Sequence, residues 1–363
     1  MRTYLLKVPT YKPGKPVEEL QRELGLKKVS KLASNENPFP PAPKVVKAIS
    51  HAAKRVNRYP EGSVFYLRER LSNMLGLDPG QLVFGNGSDE LIFFAVRSLV
   101  GPGDEVLTAT PTFLMYKIAA MVEGIRIREI PMKDFRYDLM AIRAAITDHT
   151  KLIFIANPNN PTGSYVTKDE LDCFMNNLPE HVVVFFDEAY YEFAREKEDY
   201  PDILRSVNSG RQVLVARTFS KYYGLAGLRI GYAFGRKDLI DLMARVREPF
   251  NVNLIAQEAA LAALDSEAYY EKIFKIVSKE KMILERELSR LGMEFIPSVT
   301  NFVLIHIGPQ SQELVDWLLH QGVIVRHMKA WGLPEYIRVT IGKPEENKWF
   351  LRLLKKWLKE NGR

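Results

Sequence analysis

The stretch TFSKYYGLAGLRIGY (218–232) follows an apolar run, QVLVA (212–216), and places Lys221 eight positions before Arg229. A core strand needs no such polarity at its exit. Arg229 offers a permanently charged, planar fork that suits phosphate. Thr218 and Ser220 add hydroxyl donors, and Gly224 and Gly227 let backbone approach closely. A lysine desolvated beside another cation has a lowered pKa and can form a Schiff base with a carbonyl. A lone Ser-Lys pair after a strand is usually just an exposed lysine, so the neighbours carry this reading.

Three further stretches bear on the same chemistry. In GNGSDELIF (85–93) the Asn-Gly pair alone reads as a hairpin turn, but a helical run follows instead of a second strand. Backbone N–H groups of Gly87, Ser88 and Asp89 would then point from a helix N-terminus at an anion. In FFDEAYYEF (185–193) two carboxylates, Asp187 and Glu188, come directly after an apolar strand and must be solvated or paired. One partner for Asp187 is a cationic ring nitrogen, each group keeping the other charged. TPTFLMY (110–116) puts Phe113 either against a flat cofactor or in an ordinary helix core, with equal weight. NPNNPTG (157–163) is, by composition, a turn-rich loop. A Schiff-base lysine, a phosphate cup, a buried aspartate and a stacking aromatic are together the needs of pyridoxal 5′-phosphate.

The elements that must position these groups alternate along the chain. Apolar runs at 81–85, 104–109, 125–130, 151–156, 182–186, 212–216 and 229–235 are mostly separated by helical patterns. That predicts an α/β fold whose large domain has a mostly parallel sheet covered by helices on both faces. One long helical stretch, about 254–291, leads to FVLIHI, VIVRHM and YIRVTIG, interleaved with helices, which predicts a smaller C-terminal α/β domain. The expected division is an N-terminal arm at 1–40 that packs with the small domain or a partner subunit, a large domain at 41–253 and a small domain at 254–363. In open α/β sheets ligands gather at the carboxyl ends of strands, and the polar motifs fall there.

Composition narrows the function classes. The 363 residues are 46% hydrophobic and 26% charged, ordinary for a globular protein. No apolar run is long enough for a membrane span or a signal peptide, so a cytoplasmic protein that binds no membrane is expected. One cysteine, Cys173, allows no intramolecular disulfide, and six scattered histidines show no metal spacing, so no metal site is expected. The net charge of +7 sits on the first 31 residues and the last 21, leaving a near-neutral middle. A nucleic-acid enzyme carries its basic stripe along the working groove, so no nucleic-acid partner is expected. The basic C-terminus, EENKWFLRLLKKWLKENGR, has its apolar residues at amphipathic-helix spacing, with the lysines as its solvated face.

NPNNPTG, DEAYYEF and SKYYGLAGLRIGY, in that order and spacing, resemble the fold-type I, pyridoxal 5′-phosphate-dependent aminotransferases of the aspartate aminotransferase superfamily. The arm, YKPGKPVEELQRELGL then KLASNENPFPP, together with NRYPEG, GNGSDE, TNFVLI and YIRVTIGKPEEN, is most similar to the histidinol-phosphate aminotransferase family. The resemblance implies that Lys221 carries the cofactor and then shuttles the substrate proton. It implies that Asp187 pairs with the ring nitrogen, that Asn160 and Tyr190 bond the ring oxygen, and that Phe113, often tyrosine in relatives, lies on the ring face. Gly87, Ser88, Asp89, Thr218, Ser220 and Arg229 would hold the phosphate. Tyr59 would reach the cofactor of a neighbouring subunit, implying a homodimer with shared sites. Tyr11, Arg326 and Arg338 would face the anionic groups of an amino donor and a 2-oxo acid acceptor. An aromatic or aspartate aminotransferase, or a threonine-phosphate decarboxylase, is the alternative on the same scaffold.

Overall fold

The computed structural model describes residues 2–10 and 14–362. Among them are twelve strands: β1 (Ser30–Leu32), β2 (Leu82–Gly85), β3 (Glu105–Thr110), β4 (Arg126–Pro131), β5 (Thr150–Ala156), β6 (Val183–Asp187), β7 (Val213–Thr218), β8 (Gly231–Gly235), β9 (Phe295–Ile296), β10 (Phe302–His306), β11 (Val323–His327) and β12 (Tyr336–Thr340). Seven form a sheet in the order β2-β8-β7-β6-β5-β3-β4. Neighbours from β7 through β4 are parallel, and β8 runs antiparallel to both β7 and β2.

The apolar runs are strands because both faces of this sheet are covered. Along β6, Val184 and Phe186 belong to one hydrophobic cluster while Val183 and Phe185 belong to the other, and every residue of the strand is buried. A strand with two dry faces needs no alternation of polar residues, which is why VVVFF reads as a continuous apolar run. The parallel strands deliver their carboxyl ends to one edge, where β6 ends in Asp187 and β7 in Thr218.

The second sheet has the order β1-β11-β12-β10-β9. Its strand β1 comes from the N-terminal arm and pairs in parallel with β11, Ser30 opposite Val323 and Leu32 opposite Val325. Just beyond β1 the chain passes between the sheets: Arg338 donates to the Ala33 carbonyl at 2.9 Å, and the Asn37 amide donates to the Tyr222 carbonyl at 2.9 Å.

The long helix expected over about 254–291 is two helices, Leu254–Leu264 and Glu267–Arg290. The break carries a tertiary contact. Asp265 ends the first helix, and its carboxylate is held by Lys44 at 2.9 Å and Arg70 at 3.4 Å, both far away in sequence. No glycine or proline marks it. The C-terminal helix Pro344–Glu360 buries Phe350, Leu354 and Trp357 and leaves Lys348, Lys355 and Lys359 exposed, the solvated face expected of them.

Candidate active site

A cavity of about 400 Å³ lies at the carboxyl edge of the large sheet, bounded on its other side by the second sheet. Lys221 sits just past β7, where its ammonium donates to the Ser34 carbonyl at 3.2 Å and lies 5.9 Å from the centre of the Tyr190 ring. Burial, and then the nearby Arg338 cation, lower its pKa to about 8. A lysine so poised is neutral often enough to act as a nucleophile or base near neutral pH.

Asp187, only 4% exposed, also lines this cavity. Burial raises its pKa to about 6, against hydrogen bonds from the Tyr116 hydroxyl (2.9 Å to Oδ2) and the Ala189 N–H (3.1 Å to Oδ1) that favour the charged form. Its neighbour Glu188 turns the other way and is paired: Arg217 reaches Oε2 at 2.7 and 2.8 Å, and both side chains are buried. Thus the two carboxylates of DEAYYEF divide, one facing the cavity and one closing an internal ion pair.

The residues expected to form an anion cup come together at the start of one helix. The helix Ser88–Leu99 begins immediately after Gly87, whose φ of 81° is left-handed. A Cβ at position 87 would collide with the Arg229 guanidinium. Arg229 itself adopts φ 57°, a conformation that costs a non-glycine residue on the order of 1 kcal/mol and is concentrated at functional sites. Its Nη2 lies 3.3 Å from Asp89 Oδ2, and its Nη1 lies 3.4 Å from Ser220 Oγ and 3.2 Å from the Ala226 carbonyl. Burial pushes the Asp89 carboxyl up, opposed by the Arg229 and Lys221 charges. Thr218 Oγ1 accepts from the Ser220 N–H at 3.1 Å and fixes the turn into Lys221. Gly227 has no protein atom near the place of a side chain; the tight backbone approach is at Gly231, where a Cβ would lie 2.9 Å from Ser88 N.

On the opposite wall, Arg326 and Arg338 are register partners on β11 and β12. Arg338 donates to Asn160 Oδ1 as well as to the Ala33 carbonyl, joining the NPNNPTG loop to the second sheet. Arg326 lies over the Trp331 ring at 5.1 Å. Phe113 borders the cavity with its ring edge-on to Tyr116, centroids 5.8 Å apart. The cavity thus brings together Ser88, Asp89, Phe113, Asn160, Asp187, Tyr190, Thr218, Ser220, Lys221, Arg229, Arg326 and Arg338, with Gly87 beneath Arg229. Tyr59 is elsewhere, 82% exposed and stacked on Phe250 at 4.8 Å. Tyr11 lies outside the described residues.

Two polar side chains that sequence reasoning did not single out complete the wall. Tyr116, the last residue of TPTFLMY, is fully buried and bonds Asp187 from 71 positions away. Asn35, inside KLASNENPFPP, donates its amide to the Tyr190 hydroxyl at 2.8 Å. Both lie in stretches quoted for other reasons, and a tyrosine in an apolar helical run gave no polar signal.

Comparison with known proteins is consistent with this geometry. The family model for aminotransferase class I and II matches residues 27–354. A histidinol-phosphate aminotransferase 2 of Carboxydothermus hydrogenoformans is 46% identical over 356 residues, covering 98% of both chains. A histidinol-phosphate aminotransferase of Moorella thermoacetica is 45% identical over 98% of this chain and 92% of its own. Among solved structures, histidinol-phosphate aminotransferase from Sinorhizobium meliloti, in complex with pyridoxal-5′-phosphate, superposes with a TM-score of 0.91 at 30% identity, covering 99% of this chain and 98% of that one.

Proposed function

The chain belongs to the class I and II aminotransferases, and on that premise we propose that it transfers the amino group of L-histidinol phosphate to 2-oxoglutarate, using pyridoxal 5′-phosphate bound at Lys221. The observation that carries the substrate assignment is the pairing of Arg326 and Arg338 on adjacent strands, both lining the cavity that holds Lys221. Two permanent cations suit a dianionic phosphate better than one carboxylate needs. The same pair serves a dicarboxylate acceptor in the second half-reaction. In this reading these arginines form the substrate end of the site.

The residues fit the cofactor. The left-handed Gly87, lacking a Cβ, lets the Arg229 guanidinium lie against the helix N-terminus, and with Ser88, Asp89, Thr218 and Ser220 this makes a cradle suited to a phosphate. Asp187 is a buried carboxylate whose raised pKa marks the want of a cation, which a protonated ring nitrogen supplies. Asn160, Tyr190 and Phe113 line the same cavity, and in this reading the first two would bond the ring oxygen and Phe113 would cover the ring face. When bound, the cofactor withdraws electrons from the substrate's α-carbon. Lys221 would be the group that takes the substrate's α-proton and gives it back, since its amine faces the cavity. Its lowered pKa suits it to both roles. Asp187 holds the ring nitrogen protonated, while Arg326 and Arg338 hold the substrate's anionic end at a fixed distance from Lys221.

The working assembly in this proposal is a cytoplasmic homodimer. Tyr59 stands outside its own chain's cavity, and with Val56 and Phe250 it forms an exposed apolar surface suited to cover by a second copy. There Tyr59 reaches the partner's phosphate cup. Among the described residues no helix is long and apolar enough to cross a membrane. Glutamate formation from L-histidinol phosphate and 2-oxoglutarate by the purified protein tests the assignment. Turnover of phenylalanine, tyrosine or aspartate at equal or higher kcat/KM would replace it with an amino-acid aminotransferase. Carbon dioxide release from phosphothreonine would replace it with a decarboxylase.

A further inference from the structure

Asn35 is 1% exposed, and every polar atom of its side chain is engaged. Its backbone N–H donates to Thr340 Oγ1 at 2.9 Å, its Oδ1 lies 3.0 Å from that same hydroxyl, and its carbonyl accepts from the Asn301 amide at 3.1 Å. These contacts fix which way the side-chain amide points. Thr340 Oγ1 is buried and accepts from the Asn35 N–H, so its single hydroxyl proton goes to an acceptor, and Asn35 Oδ1 is in reach. Oδ1 therefore faces Thr340 and Nδ2 faces Tyr190, at 2.8 Å from the phenolic oxygen. A phenol whose oxygen accepts a hydrogen bond keeps its own proton for donation elsewhere, and donates it more strongly.

We propose that Asn35 is a positioning residue that fixes Tyr190 as a hydrogen-bond donor toward the cofactor's ring oxygen, and so sets how tightly the nitrogen joining Lys221 to the cofactor holds its proton. The inference rests on the cofactor reading above. A strong bond from Tyr190 draws negative charge off the ring oxygen, and that charge is what holds the proton on the adjacent nitrogen. Asn35 also ties this setting to substrate binding. Its neighbour Ala33 accepts from Arg338, and Ser34 accepts from Lys221, so one short segment touches the substrate cation, the reactive lysine and the ring-oxygen donor. The charged groups facing Lys221 are Arg338 of β12, Asp89 and Arg229 of the cup and Glu36 of the same segment, with Asp187 of β6 close by. None of them is altered by substitution at Asn35.

The test is a pH titration of the visible absorbance of the purified holoenzyme, which reads the protonation of that linkage without turnover. Asn35 has φ 54°, so Asn35→Gly removes the side chain without backbone strain. The expected result is a rise in the titration midpoint of about 0.2–0.6 pH unit, from loss of a 10–30% cooperative strengthening of a charge-assisted bond. Asn35→Asp, which keeps the acceptor at Thr340 but turns the donor at Tyr190 into an acceptor, should raise it further. Tyr190→Phe should raise it as well, and Asn35→Gly added to Tyr190→Phe should then change nothing more. A midpoint that stays within about 0.1 unit of wild type in both Asn35 variants, while Tyr190→Phe moves it, overturns the inference but leaves the cofactor reading standing. A shift from Asn35→Gly that persists in full in the Tyr190→Phe background also overturns it. If no visible band titrates in the wild-type protein, the cofactor reading itself has failed.

Discussion

Arg326 and Arg338 stand directly opposite one another on adjacent antiparallel strands, in the same cavity wall. Like charges in register are destabilising in a sheet. Arg338 is 5% exposed and spends two of its donors on Asn160 Oδ1 and the Ala33 carbonyl, while the Trp331 ring lies near both guanidinium groups. In the proposed function the anionic end of each substrate is what both cations meet.

Replacing either arginine by alanine is therefore expected to lower kcat/KM for the phosphorylated donor about tenfold to a hundredfold, since a charge-assisted bond contributes roughly 1.5–3 kcal/mol. Arg338→Ala should also impair the dicarboxylate half-reaction, because one pocket serves both substrates. Steady-state kinetics with each substrate varied in turn checks both statements. Loss confined to one substrate would mean that the two anions do not share this arginine.

Asp187 gives a pH prediction for the cofactor-free protein. Its folded pKa, about 6, lies above the ordinary value of 3.8. The group then favours the folded state below about pH 4, and that contribution is lost as pH rises through 6. A shift of this size corresponds to on the order of 2–3 kcal/mol. Asp187→Asn should accordingly gain stability relative to wild type between pH 4 and pH 7, measured as the change in their unfolding free-energy difference with pH. With pyridoxal 5′-phosphate bound, the protonated ring pairs with the carboxylate and the comparison should reverse.

Glu188 and Arg217 form a buried pair beneath the site, with side chains 0% and 8% exposed. Glu188→Ala leaves a buried guanidinium without its carboxylate and should cost about 3–5 kcal/mol in denaturant unfolding. The exposed pair Arg236–Asp238 is a control, where Asp238→Ala should cost under about 1 kcal/mol. Equal costs would mean that the internal pair does not hold β6 to β7.

Tyr59→Phe should weaken retention of the cofactor during gel filtration, if its hydroxyl completes the partner's phosphate cup. Mixed with Lys221→Ala subunits, it should form hybrid dimers. One site in each hybrid then pairs an intact Lys221 with an intact Tyr59 from the partner, and activity should recover to about a quarter of wild type on equal mixing, by random pairing of subunits. Subunit exchange without recovery would rule out a shared site.

How much of this was legible in the sequence follows from what each residue contacts. Strands β3 and β5 to β8 were readable because they are buried on both faces, so burial wrote itself as largely apolar runs, while the half-exposed edge strand β4 shows instead the alternation of RIREI. β1, three residues with a lysine in the middle, and β9, two residues, are too short to carry a pattern. The break at Asp265 was hidden because no glycine or proline marks it and the partners of its carboxylate, Lys44 and Arg70, lie over 190 positions away. The same holds within the site. Lys221 and Asp187 were visible as charged groups at the exit of apolar strands, and Arg229 as a cation set between Gly227 and Gly231. Tyr116 and Asn35 act through partners 71 and 155 positions away, and only the folded chain brings those partners together.

The proposed preference of this aminotransferase is for a phosphorylated amino donor. Its most direct measurement is a single turnover: holoenzyme mixed with one amino donor and no 2-oxo acid, with conversion of the bound cofactor to its amine form followed by absorbance. Borohydride reduction beforehand should abolish the reaction and leave the cofactor's mass on the peptide containing Lys221. L-histidinol phosphate is expected to convert the cofactor at a higher second-order rate than phenylalanine, tyrosine or aspartate, and Arg338→Ala to remove most of this advantage. Conversion by any of those amino acids at an equal or higher rate, or a borohydride adduct on another lysine, would contradict it.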